Sequence, residues 1–193
     1  MNFSLKFLGL IAMLASPFFW IETYFYGQAT HNTSLTGVCD LVYMIGWSCS
    51  IAGLMKLKAA GDNRRGKTIL LIQLVFLSIA NIWNIWVILD PLNQTTIFNI
   101  LDKSWPISNC FMLITGIAVV AGKRISGFSR FVPLIAGFWL PITAIAGMLL
   151  KGNELFFYIM SSYSFCSFFL FGLMIFRHGL VRHGALMGKV KFN

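Results

Sequence analysis

Glu22, Asp40, Asp90, Asp102 and Glu154 are five of only six acids in 193 residues, and all five lie in or beside long apolar runs. Inside hydrocarbon an ionised carboxylate is costly unless it is paired or wetted, so each of these acids is a helix-end charge, a side chain that snorkels to the interface, or part of a site for a cation. Asp40, Asp102 and Glu154 fall where helices are expected to begin, and there the helix dipole favours a negative charge. Glu22 and Asp90 fall where helices are expected to end, and there the dipole opposes one. Glu22 is the sharper case, because it sits inside Phe18-Phe19-Trp20-Ile21-Glu22-Thr23-Tyr24, about one turn within the apolar run. The tripeptide Ile-Leu-Asp occurs at 88–90 and again at 100–102. Asp90 and Asp102 thus bracket one hairpin and give it a negative mouth, partly neutralised by Lys103.

Uncharged polar groups occur at similar depth. Asn81 and Asn84 are three apart and share a helix face, and Ser161, Ser164 and Ser167 form a stripe. With Trp20, Tyr24, Tyr43, Trp83, Trp86, Tyr158 and Tyr163 as aromatic walls, the pattern is that of a cavity. Acids, amides and π-faces together suit a cation or an amphipathic small molecule. The candidate ligand-binding set is Glu22, Asp40, Asn81, Trp83, Asn84, Asp90, Asp102 and Ser164. Two plainer readings compete with it. Amides and hydroxyls are common interhelical glue, and Trp and Tyr gather at membrane interfaces without any ligand.

Other chemistry has no sequence support. His31 is predicted in a loop, and His178 and His183 in the C-terminal tail, so no histidine pair ligates haem or a metal within a span. A metal set of His31 with Glu22 or Asp40 would need the loop to fold back. There is no phosphate-binding glycine loop, dinucleotide fingerprint or HExxH. No cofactor, metal or catalytic residue is assigned, and an enzyme is the less favoured class. Cys39, Cys49, Cys110 and Cys166 form no close pair and read as small buried hydrophobes, with a Cys39–Cys110 disulfide left open.

The elements that position these residues follow from composition. The chain is 58% hydrophobic and 11% charged with mean hydropathy +0.77, against about 25% charged in soluble domains. Crossing ~30 Å of hydrocarbon takes about 20 residues. Six apolar runs meet that requirement: 7–26, 35–57, 68–89, 105–121, 131–150 and 155–176. The first continues through Phe18–Ile21 to full length and is expected to be a span and not a signal peptide. Thirteen of the fifteen basic residues fall before the first run or on alternate connections, with one acid, Asp62, for a net +12. The other face carries two bases and five acids, a net −3. By the positive-inside rule both termini are cytoplasmic.

The expected fold is therefore all-α, one integral membrane bundle of six transmembrane helices, N-in and C-in, in the plasma membrane. A basic tail, 177–193, lies on the inner leaflet or in solvent. The charge of +9 reflects membrane topology and not nucleic-acid binding. The inner loop 58–67 suits anionic headgroups. Gly46, Ser50, Gly53, Gly116, Gly137, Ala144 and Gly147 mark close helix approaches. Residues 97–104 read as a short interfacial helix before the fourth span, with Ser104 as its cap. A chain this small is expected to associate with copies of itself or with a partner membrane protein. The leading function is a small transporter or channel-like protein. A sensor or accessory subunit and an intramembrane lipid-modifying enzyme are the alternatives.

Overall fold

The computed structural model describes residues 4–26, 32–93, 95–150 and 153–190, with side chains as far as 181. Helices and their connections make up all of the described residues. In order they are α1 (Leu5–Ala15), α2 (Phe18–Tyr26), α3 (Ser34–Leu57), α4 (Arg64–Leu89), α5 (Thr96–Asp102) and α6 (Ser104–Gly122), followed by a 3₁₀ turn (Gly127–Phe131) and then α7 (Val132–Gly137), α8 (Trp139–Leu150) and α9 (Glu154–Val190). Five of the spans so formed are long and apolar enough to cross a membrane, and six if the bent pair at 127–150 counts as one. Large apolar side chains such as Leu14, Leu71, Val75, Ile82, Ile117 and Met148 stay exposed along the helix flanks. Such a surface would be an aggregation hazard in water, and it points to a membrane-embedded protein.

Side-chain caps start the helices. Ser4, Asn63 and Thr95 each accept a bond from a first-turn N–H, and Thr33 forms a reciprocal capping box with Thr36. The structure corrects the sequence reading of Ser104. It is the first residue of α6 and not its cap, and its hydroxyl donates back to the Leu101 carbonyl at 2.6 Å. The first apolar run is likewise two helices, not one. Pro17 has no N–H to continue the ladder, so α1 stops at Ala15 and α2 restarts at Phe18. The fifth run bends by 49° at Phe138. Helix α9 continues well past 176 to Val190, where the sequence reading ended the span and began a tail.

Without a hydrophobic drive between helices in lipid, close backbone approach supplies the packing. Antiparallel α1 and α9 touch at Gly9 and Gly172, where a Cβ on Gly172 would lie 2.7 Å from the Met13 nitrogen. In the same way α6 and α7 meet at Gly116 and Gly137, the latter with room for no side chain against Leu113. Gly46 and Gly53 pack on Ala15 and Ile175, whereas Gly147 has only ordinary contacts and Ala144 is exposed. The core formed by α1, α3, α4, α6 and α9 centres on Met44, Trp47, Ile51, Leu77 and Phe171. Of the cysteines only Cys39 is buried, while Cys110 and Cys166 are exposed and Cys49 is intermediate. The reading of all four as buried hydrophobes is corrected accordingly, and all four are free thiols.

Candidate functional site

Helix α2 packs against α3 and α9. It brings the Glu22 carboxyl beside the Asp40 carboxyl on α3, and Asp102 lies close enough to Asp40 to act on it electrostatically. Two carboxyls can hydrogen-bond only with a proton between them. Losing that proton leaves two like charges side by side. Neither acid takes part in a salt bridge among the described residues, whereas Asp62 is paired with Lys58 and Lys67. The second Glu22 oxygen, Oε2, is buried and has no hydrogen-bond partner.

Asp40 and Asp102 are not the helix-terminus charges expected of them. Asp40 lies in the second turn of α3, and Asp102 closes α5. Glu154 does occupy the first turn of α9. Asp90 is the C-cap of α4, exposed, and accepts a bond from Asn93 Nδ2 at 2.8 Å.

The remaining candidates divide between unsatisfied and satisfied groups. A Cβ on Gly37 would touch Val87 and Ile88 at 3.0 Å, which fixes the register of α3 against α4. One turn further along each antiparallel helix, Asn84 comes level with Asp40. Asn84 is 2% exposed, and its Nδ2 has no partner. Asn81 Oδ1 and Trp83 Nε1 are buried and unpartnered as well. The Trp83 ring packs on Phe98, with centroids 5.5 Å apart. Ser164, in contrast, is fully engaged by the Tyr43 hydroxyl at 2.7 Å, and Ser161 and Ser167 bond to carbonyls of their own helix.

The aromatic residues also separate. Phe19 is the hub of a packed cluster, with centroids 5.4 Å from Tyr43 and 6.2 Å from Trp139, and Trp105 sits edge-on to Trp139 at 5.2 Å. Trp20 and Tyr24 stack on each other at the exposed surface, and Tyr158 is exposed as well. Asp90, Trp20 and Tyr158 are exposed, whereas Tyr43, which bonds Ser164, stands one turn beyond Asp40 on α3.

Sequence reasoning passed over Gln73. It is wholly buried in α4, donates from Nε2 to the Ser108 carbonyl at 3.2 Å, and its Oε1 accepts from Thr115 Oγ1 at 3.4 Å. The signal was a single amide inside Leu-Leu-Ile-Gln-Leu-Val-Phe, since a polar side chain in mid-span needs a partner. Among the described residues no three His, Cys, Asp or Glu side chains gather as a metal-binding group, and His31 lies outside the described residues. Compared with known proteins, the chain matches no protein-family model, no curated protein and no solved structure.

Proposed function

We propose that this is a small multi-pass membrane protein that binds a proton or an organic cation at Glu22 and Asp40, as the substrate site of a transporter or channel-like protein. The carrying observation is the closeness of the two carboxyls, which stand on neighbouring helices with no basic residue paired to them among the described residues. A cation arriving there takes the place of the shared proton, so that the pair exchanges one positive charge for another. Asp102 adds negative potential, and the free amide groups of Asn81 and Asn84 offer orienting hydrogen bonds.

The proposal includes six spans in the plasma membrane, with the bent pair as the fifth, and cytoplasmic termini. Its support is the gathering of Lys58, Arg64, Arg65, Lys67, Lys123 and Arg124 at the helix ends and connections away from Glu22 and Asp40. The spans bury between 28% and 50% of their apolar windows. The apolar surface left over faces lipid, copies of the same chain or a partner membrane protein.

Reconstitution into liposomes tests the reading. Uptake of a fluorescent organic cation and proton flux are measured for the native chain and for Glu22→Gln, which keeps the shape and removes the charge. At least a tenfold loss in one of the two fluxes, with thermal unfolding unchanged, is expected. Equal fluxes would refute the site. An accessory subunit would keep its fold and its partner in the variant, and a lipid-modifying enzyme would lose turnover while still binding its ligand.

A further inference from the structure

At the end of the bundle away from Glu22, a cavity of about 420 Å³ opens between the connection that follows α3, the first turns of α4 and the end of α6. Its wall is backbone packed on backbone. A Cβ on Gly66 would run into the Ala60 carbonyl, and one on Gly122 would lie 2.7 Å from the Ala59 carbonyl. The turn is therefore clamped against both helices, and Lys58 and Lys123 take the left-handed conformation that lets the chain leave each helix within one residue.

The charges around the cavity are unevenly matched. Asp62, its one acid, is held by Lys58 Nζ at 2.7 Å and Lys67 Nζ at 3.3 Å. Arg65 and Arg124 also line the cavity, from two different elements, and neither makes an ion pair or a side-chain hydrogen bond among the described residues. Arg65 lies in the first turn of α4, where backbone N–H groups and the positive end of the helix dipole add to its charge. Ile69 and Ala118 give the cavity an apolar wall beside the two guanidinium groups.

We infer that this cavity is a binding site for a phosphate group, gripped between Arg65 and Arg124. Two planar forks lining one cavity from separate parts of the chain match the several acceptor oxygens of a tetrahedral phosphoryl group, which each fork can engage through charge-assisted bonds. The phosphate comes from an acidic phospholipid headgroup or from solution, and the apolar wall favours the lipid. This inference does not depend on the cation site, because the two sites share no residue.

The test uses the full chain in detergent, titrated with dioctanoyl phosphatidate, dioctanoyl phosphatidylcholine and inorganic phosphate, with binding read by calorimetry. Phosphatidate is expected to bind at least tenfold more tightly than phosphatidylcholine. The Arg65→Gln/Arg124→Gln double variant is expected to lose at least tenfold of that affinity. Arg177→Gln, an exposed basic residue outside the cavity, is expected to bind as the native chain does. If the double variant fails to fold, each single variant is expected to bind at least threefold more weakly. Competition by inorganic phosphate would show that the site accepts the free ion, and phosphatidate binding that phosphate does not displace would assign it to the headgroup. Undiminished binding in the variants, an equal loss in Arg177→Gln or equal affinity for phosphatidylcholine would each overturn the inference.

Discussion

Gln73 and Asn84 lie three turns apart on the same helix, and both are almost wholly buried, at 0% and 2% exposed. Gln73 spends its amide on α6, donating to Ser108 and accepting from Thr115, so that both ends of the side chain are satisfied. Asn84 comes level with Asp40 and leaves its donor unused, as do Trp83 and, with its acceptor, Asn81. A buried polar group without a partner costs about 1–3 kcal/mol, so a folded protein keeps several in one place only if something else compensates. The difference between the two residues is the one expected between interhelical glue and the proposed site.

The comparison is broken most forcefully at Gln73. A Gln73→Glu change removes the donor to Ser108 and sets a carboxyl against a carbonyl in the core. The expected loss is about 3 kcal/mol or more of stability, read as a lower unfolding temperature in detergent. If the variant unfolds like the native chain, the region around Gln73 is wetter than its hydrogen bonds imply. A gentler change at the other residue sharpens the contrast. Asn84→Leu deletes an unsatisfied amide at nearly constant volume, so stability should hold or rise by up to about 1 kcal/mol, while cation flux falls severalfold. A large loss of stability would reassign Asn84 to the glue.

Asp62 supplies a third kind of polar contact, satisfied but open to water. Hydrogen bonds from Lys58 and Lys67 hold its carboxyl below the usual carboxylate range. Because the folded value is the lower one, its stabilisation is fully present above the unfolded value of about 3.9. It disappears as pH falls through the folded value. Unfolding of the native chain and of Asp62→Asn, compared across pH, should therefore differ by a small constant amount near neutrality and converge only in strong acid. Convergence already near pH 6 would contradict the pairing.

The all-helical character and the approximate limits of the long apolar runs were legible because span length is fixed by membrane thickness, whereas the breaks at Pro17 and Phe138 were not read. Rotation about each helix axis was not legible. Asp40 looked like a terminus charge because the sequence does not say that α2 turns Glu22 toward it, and the same blindness made Gln73 one more residue in an apolar run. Pro17 carried its own signal, a missing N–H in mid-span, as did the seven-residue spacing of Gly172 and Gly179 that meets α1. Which members of the candidate set would meet depended on packing between helices far apart in sequence.

The elbow at Phe138 is pinned on both sides. Just before it, the Ile135 carbonyl accepts a 2.6 Å bond from the Tyr163 hydroxyl, and just after it, Trp139 Nε1 donates to the Met160 carbonyl at 3.2 Å. Both pins stand on one stretch of α9, less than a full turn apart. The joint is therefore braced against α9 on both sides of the bend, like a bracket with two screws in one beam.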